Sequence, residues 1–355
     1  MTKALKELPK IRVAAIQAAS RLLDAEGSIR KACRLIKEAA DLGVRVAVFP
    51  ECFIPGYPIW FNFYKALDAK PLTFYKRLYK ASLDIAGPEL KPILTAARQA
   101  KMVVALGICE RTRDTTGTLY NSLLYIDNHG EILGIHRKLV PTVVERIVHS
   151  PGYGRVLPVF ATEMGRIGGL ICGENSNPLA KFHLMSQGET IHAAAWPPYF
   201  FTKPMSEVIQ FVSRALAYEN KVFVINAAGI LSAENIQAIA VQAEDLPAGF
   251  IQSSGGSSII SPTGDVLAGP VFGKEEILCC DVDLNDIISQ KMIHDFAGHY
   301  NRPDIFSLSV KEYTGAFTQA GSGGNDNISP PENPRAGRDQ QQGPLAAERS
   351  PEEPE

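Results

Sequence analysis

Three short apolar runs in this chain each end on a side chain that can do chemistry. Val44 to Phe49 stops at Pro50-Glu51. Glu131 to His136 leads through Arg137 to Lys138. A third run opens at Gly168-Gly169, continues through Leu170-Ile171 and ends at Cys172, followed by Gly173-Glu174-Asn175. Each reads as a buried strand that delivers one reactive group to its C-terminal end. In α/β sheets the crevice beyond those ends is where ligands sit. Taken singly, each residue has a plainer role: a buried cysteine is usually a small inert hydrophobe, Glu51 could cap a loop, and Lys138 could be a solvated charge. Together they make a nucleophilic site. A free thiol is only a few per cent thiolate at neutral pH. A carboxylate within reach takes its proton during attack, a contribution of about 10²–10⁴-fold. An ammonium beside both stabilises the thiolate and the charge that develops on the substrate. The backbone N–H of Gly173 is a second donor of that kind, worth on the order of 10²–10³-fold.

The elements that must hold these residues are legible from periodicity. Ile11 to Gln17, Met102 to Cys109, Leu119 to Ile126, His192 to Trp196, Val222 to Ala227 and Ile277 to Val282 read as further strands. Val156 to Thr162 and Arg166 to Ile171 form a pair, as do Ser258 to Ile260 and Val266-Leu267 around Pro262-Thr263-Gly264-Asp265. Ser28 to Leu42 has helical spacing, with Ser28 as the expected N-cap and Gly43 as the stop. Glu89 to Lys101, Pro178 to Gln187 and Met205 to Asn220 are the other helices. Asp127 to Gly130 is a hairpin turn. Three prolines and a glycine make a rigid loop of Pro50 to Pro58. The aromatic segment from Trp60 to Tyr79 fits either a packed helix pair or a lid or subunit contact. Strand–helix units alternating with hairpins point to a mixed α/β architecture, compatible with two sheets packed face to face.

Composition bounds the function. Of 355 residues, 45% are hydrophobic and 21% charged, in the range of soluble globular proteins. A net charge of −2 argues against a nucleic-acid partner. The six cysteines, Cys33, Cys52, Cys109, Cys172, Cys279 and Cys280, form no C-x-x-C pair, and no H-E-x-x-H is present, so neither a metal site nor a disulfide framework is expected. No organic cofactor is expected either. Met1 to Lys10 has no apolar run of secretory type, and no segment is long enough to span a membrane. The expected compartment is the cytoplasm. From Gly321 the chain is rich in Gly, Pro, Gln and Glu and poor in large apolar residues, which predicts a disordered tail over 321–355 after a single domain over 1–320.

The local contexts of the three strand ends resemble the nitrilase superfamily. The resemblance is carried by Pro50-Glu51-Cys52-Phe53-Ile54-Pro55-Gly56-Tyr57-Pro58, by His136-Arg137-Lys138-Leu139-Val140-Pro141-Thr142 with Glu145-Arg146, and by Gly168 to Leu179. Gly298-His299-Tyr300-Asn301-Arg302-Pro303-Asp304 looks like a segment near the end of the true nitrilase branch. The similarity spans about Ile11 to Val310. It implies an αββα sandwich and a Glu–Lys–Cys triad carried onto Glu51, Lys138 and Cys172. It also implies a second glutamate, Glu145, that positions substrate or water. The implied reaction is hydrolysis of a nitrile to the acid and ammonia without a cofactor. An amidase or carbamoylase using the same triad, or an assembly protein that only keeps the fold, are the alternatives. Self-association into spirals or filaments built from dimers is implied too, with Trp60 to Tyr79 and Leu231 to Phe250 as contact regions. Tyr57, Gly173 and Trp196 are the expected pocket residues. In the nitrilase branch the position after the cysteine is commonly Trp. Gly173 keeps the backbone donor and leaves room for a larger or differently shaped substrate.

Overall fold

The computed structural model describes residues 8–152, 157–199, 205–242, 246 and 251–311. The expected tail over 321–355, Val156 and part of the 231–250 segment lie outside them. Two six-stranded sheets make up the centre. In the first, β1 (Lys10–Gln17), β2 (Val46–Val48) and β3 (Val103–Arg111) run parallel. β4 (Leu119–Ile126) and β5 (Ile132–Arg137) continue it antiparallel. In the second, β7 (Gly165–Ile171), β8 (Ile191–Trp196) and β9 (Phe223–Ala228) are parallel. β6 (Phe160–Thr162) flanks them on one side; β10 (Gly255–Ile260) and β11 (Val266–Phe272) flank them on the other. The chain closes with β12 (Glu276–Asp283), antiparallel to β1 on the outer edge of the first sheet.

The strands alternate their side chains between two apolar layers. Val13, Ala15, Val46 and Val48 of the first sheet share a core with Ile167, Ile171, Ala193, Ala195 and Ile225 of the second. On the opposite face, Ala14, Ile16 and Ala47 pack with Ile29, Ala32, Leu35 and Ile36 of α1 (Ala25–Asp41) and with Ile93 and Ala97. The last two belong to α3 (Lys91–Ala100), after α2 (Ala69–Ala81). Leu170 meets Ala180 and Leu184 of α4 (Pro178–Ser186) on the outer side of the second sheet, where α5 (Met205–Asn220) also packs. The architecture is an αββα sandwich.

Two expectations need correction. The N-cap of α1 is Asp24, whose carboxylate accepts from the Gly27 N–H, so the helix starts before Ser28. Ser28 lies inside it, buried, with its hydroxyl donating to the Arg21 carbonyl. Val44 to Phe49 contributes only Val46–Val48 to the sheet. The packing reading also prevails for part of the aromatic segment. Trp60, Phe74 and Leu78 are buried in one cluster with Leu231, Ile236 and Ile239, and the Tyr64 hydroxyl donates to the Ile239 and Ala240 carbonyls. The described parts of the two expected contact regions therefore cover each other. Cys52, Cys109 and Val148 join the same cluster, so these aromatics back the strand end that carries Glu51 and the turn that carries Glu145.

Candidate active site

Glu51 leaves the end of β2 and is fixed from both sheets. Its backbone N–H donates to the carbonyl of Trp196 at the end of β8, 3.2 Å away. Beneath it β3 comes so close that a Cβ on Gly107 would lie 2.0 Å from the Pro50 carbonyl oxygen and 2.8 Å from the Cys52 nitrogen. Only glycine fits there. Lys138 follows β5, with its N–H on the Asn121 carbonyl at 2.8 Å. Glu145 stands on a 3-10 turn, Val143–Ile147, capped reciprocally by Thr142. Cys172 ends β7 with φ 54°, in the left-handed region, at the head of a short 3-10 turn, Cys172–Ser176. Such a conformation costs of order 1–3 kcal/mol in a residue with a side chain and clusters at functional sites.

The side chains converge in the interior. Lys138 Nζ donates to Glu51 Oε1 at 2.7 Å and to Glu145 Oε2 at 2.6 Å. Asn121 repeats the pattern: its Nδ2 donates to Glu51 Oε1 at 2.6 Å and to Glu145 Oε1 at 2.7 Å. Glu145 gains further donors from the Thr142 N–H at 3.0 Å, His149 Nδ1 at 3.1 Å and the Tyr57 hydroxyl at 3.5 Å. Glu51 Oε2, by contrast, is buried without a hydrogen-bond partner among the described residues.

The electrostatics follow from that asymmetry. Burial pushes the Glu51 carboxyl up to about 7; Lys138 opposes the rise and Glu145 adds to it. Burial acts on Glu145 in the same sense, but Lys138, His149 and Asn121 overcome it and hold that carboxyl well below the usual range. Burial also opposes the charge on Lys138, yet the two carboxylates raise it well above an ordinary lysine. The Cys172 thiol is pushed well above its ordinary value by burial and by Glu51, against Lys138 and the Gly173 N–H. Cys172 thus rests as a thiol, and Glu51, whose charge acts on it, keeps Oε2 without a hydrogen-bond partner among the described residues.

One carboxylate ties the strand ends together. Glu174 Oε2 accepts from the Ile171 N–H at 2.9 Å and pairs with His136 Nε2 at 2.9 Å; its Oε1 accepts from the Leu139 N–H at 2.5 Å. The turn carrying Cys172 is thereby fastened to the strand carrying Lys138. Asn175 completes the frame: its Nδ2 donates to the Cys172 carbonyl, and its Oδ1 contacts His192 Nε2.

The structure brings Glu51, Lys138, Glu145, Cys172 and Tyr57 into one cluster. Gly173 is exposed beside Cys172, and a Cβ there would meet only Thr142 Oγ1, at 3.8 Å. Trp196 contributes its carbonyl, while its indole N–H donates to Asn226 Oδ1 in the inter-sheet core at 3.0 Å. The Gly298 to Asp304 segment is elsewhere: Tyr300, Asn301 and Arg302 line an apolar groove with Phe182 and Met185, and no triad residue reaches it. Asn121, His149 and Glu174 were not singled out from the sequence. A buried Asn in an apolar strand was the available signal for the first; the other two acquire meaning only through distant partners. Cys52, Cys109 and His149 bring soft donor atoms within 4.8 Å of one another. No fourth side chain of that kind joins them among the described residues, short of the four ligands of a structural zinc site. None of the six cysteines is in a disulfide.

Residues 12–292 match the carbon-nitrogen hydrolase family. The chain belongs to that family, in its nitrilase branch. It is 35% identical over 313 residues to a bifunctional nitrilase/nitrile hydratase of Lupinus angustifolius, covering 86% of this chain and 87% of that protein. It is 36% identical over 326 residues to an arylacetonitrilase of Macrophomina phaseolina, covering 85% and 91%. Among solved structures, a branch 10 member of the nitrilase superfamily from Saccharomyces cerevisiae superposes with a TM-score of 0.64 at 20% identity, over 85% of this chain and 99% of that one. The NitFhit protein of C. elegans gives 0.67 at 18%, over 88% and 69%. These two likenesses concern the fold of the hydrolase. No helix among its described residues is long and apolar enough to cross a membrane.

Proposed function

We propose that the enzyme hydrolyses nitriles to the carboxylic acid and ammonia through a covalent intermediate on Cys172. One observation supports the mechanism: Glu51 Oε2 is buried without a hydrogen-bond partner among the described residues, on a carboxyl that burial pushes up to about 7 and whose charge acts on a protonated thiol. A general base works best with a pKa near the operating pH. Glu51 takes the Cys172 proton as sulfur bonds to the nitrile carbon, then gives it to nitrogen, leaving a thioimidate. Glu51 next takes a proton from water as the oxygen adds to that carbon. Lys138 and the Gly173 N–H stabilise the tetrahedral species. Cleavage of C–N, with proton transfer to nitrogen, releases ammonia and leaves a thioester. A second water cleaves the thioester to the acid and returns the proton to sulfur. Glu145, ionised and held by four donors, positions Lys138 and the water. Collapse through C–S cleavage at the first tetrahedral stage would release the amide instead. Nitrilase and arylacetonitrilase relatives support nitriles over amides as substrates. No step calls for a metal or an organic cofactor.

Self-association and a cytoplasmic setting belong to the same proposal. Exposed Leu179, Phe211, Met292, Phe296 and Phe306 offer apolar surface for further copies, and six free thiols suit a reducing compartment. The test of the chemistry is a panel of aliphatic, aromatic and arylacetonitriles with the matching amides, assayed for ammonia, acid and amide beside Cys172→Ala. Acid and ammonia from nitriles, lost in the variant, are expected. Turnover of amides alone would move the enzyme to the amidase side, and full activity in the variant would overturn the mechanism.

A further inference from the structure

Lys138 and Asn121 treat the two buried carboxylates almost alike. Each donates to both, at 2.7 and 2.6 Å from Lys138 and at 2.6 and 2.7 Å from Asn121. Neither can decide which carboxylate keeps its charge and which exchanges a proton. Two carboxylates so placed would share one proton, and their titration would belong to the pair. The difference between them comes from the other side of Glu145. There the Thr142 N–H and His149 Nδ1 donate to it, with the Tyr57 hydroxyl farther off at 3.5 Å, while Glu51 Oε2 has no hydrogen-bond partner among the described residues. The Thr142 bond is the reciprocal cap of the 3-10 turn and belongs to its backbone. Among the described residues that donate to Glu145 on that side, His149 is the one side chain that can carry a full positive charge.

We propose that His149 is a positioning residue of the reaction: by donating to Glu145 from behind, it keeps that carboxylate ionised and immobile, so that Glu51 alone moves the proton. The groups that face it support this. His149 is 2% exposed and sits four residues after Glu145, just past the turn that carries it. Its other surroundings are the thiols of Cys109, from β3, and Cys52, from the loop after β2. Glu145 itself is faced by Lys138, Tyr57 and Asn121. Burial alone would lower the His149 imidazole, but the Cys109 thiol and Glu145 carry it up to about 9. Burial would raise Cys109, yet Cys52 and His149 draw it down to about 6. His149 Nε2 has no hydrogen-bond partner among the described residues, and the Cys109 thiol donates to the Gly56 carbonyl at 3.7 Å, so Glu145 is the side chain that the imidazole bonds. Pairs of acids whose surroundings push them apart are how one site obtains a fixed charge and a working base.

The proposal rests on Glu51 and Cys172 acting as described above, and the experiment separates the two. Kinetics of His149→Leu and His149→Asn are compared with the unaltered enzyme across pH, with circular dichroism and thermal melting as folding controls. The leucine variant removes the donor; the asparagine amide can restore a neutral donor at the position of Nδ1. In His149→Leu, kcat should fall about 10²-fold, the scale of a small misplacement at a reacting centre, with KM little changed. The acidic limb of kcat/KM should move to higher pH, because the doubly ionised pair has lost its stabilising donor. His149→Asn should recover most of kcat while part of the limb shift stays, since the charge is not restored. Folded variants with unaltered kcat and limb would overturn the role of His149 yet leave Cys172 essential. Should His149→Leu fail to fold, His149→Asn decides through the limb alone: an unmoved limb overturns the proposal. Activity surviving Cys172→Ala would instead overturn the reading beneath it.

Discussion

Replacing Glu51 by Gln separates the proposed base from the fold that pays for burying it. The glutamine Oε1 can still accept from Asn121 and Lys138, and its amide nitrogen takes the place of Oε2, which has no donor to lose. The fold should therefore survive, while proton transfer should not. Loss of a general base predicts a fall in kcat of about 10²–10⁴-fold. Stability should move the other way. In the folded chain burial lifts the Glu51 carboxyl from 4.5 to about 7. The proton is thus held more tightly in the folded state than in the unfolded one. Its stabilising effect is complete below pH 4.5 and is lost as pH rises to 7, because the unfolded chain ionises first. That rise corresponds to on the order of 3 kcal/mol. The neutral amide does not ionise, so Glu51→Gln should be no less stable than the unaltered enzyme at pH 7 and above. The gap in melting temperature, variant minus unaltered, should widen between pH 5 and 7 by about 3 °C and then level off. In the unaltered enzyme kcat/KM should show an acidic limb near pH 7, reporting the base in the free enzyme. A limb near pH 4.5, or a melting gap independent of pH, would refute the assignment of Glu51 as a base tuned by burial.

Two further outcomes follow from the same geometry. Gly173→Trp should change the order of preference among nitriles more than it changes the rate at which an alkylating agent reacts with Cys172. Only Thr142 Oγ1 lies near the new Cβ, and the backbone N–H is retained; an unchanged preference across the panel would count against Gly173 as a pocket determinant. The protein should scatter light as a species far heavier than its 38.6 kDa chain, and a monomer at micromolar concentration would remove self-association from the proposal.

The sequence by itself determined where the reactive groups emerge. An apolar run that breaks off at a polar residue marks a strand end whose polar group needs partners, since unpaired polar groups are excluded from the core. Glu51, Lys138 and Cys172 were therefore legible as strand ends, and the local contexts around them carried the family. The longer helices were legible from their 3.6-residue spacing; the start of α1 was misplaced because its cap depends on a side chain–backbone bond from Asp24, α3 begins at Lys91 after a 3-10 turn, and the short helices Ala233–Ala238 and Asp286–Ile293 were not read. What the sequence left open were contacts between residues far apart in the chain. Trp196 reads as a pocket wall from its strand-end position, yet its indole bonds Asn226 thirty residues on. Glu174 joins two strands only because His136 and Leu139 return beside it. The two glutamates looked alike in sequence. Their different charges were decided by His149 and the Thr142 N–H on one of them and by an empty side on the other. Ionisation in a dry interior answers to neighbours a few ångströms away, and tertiary folding chooses those neighbours.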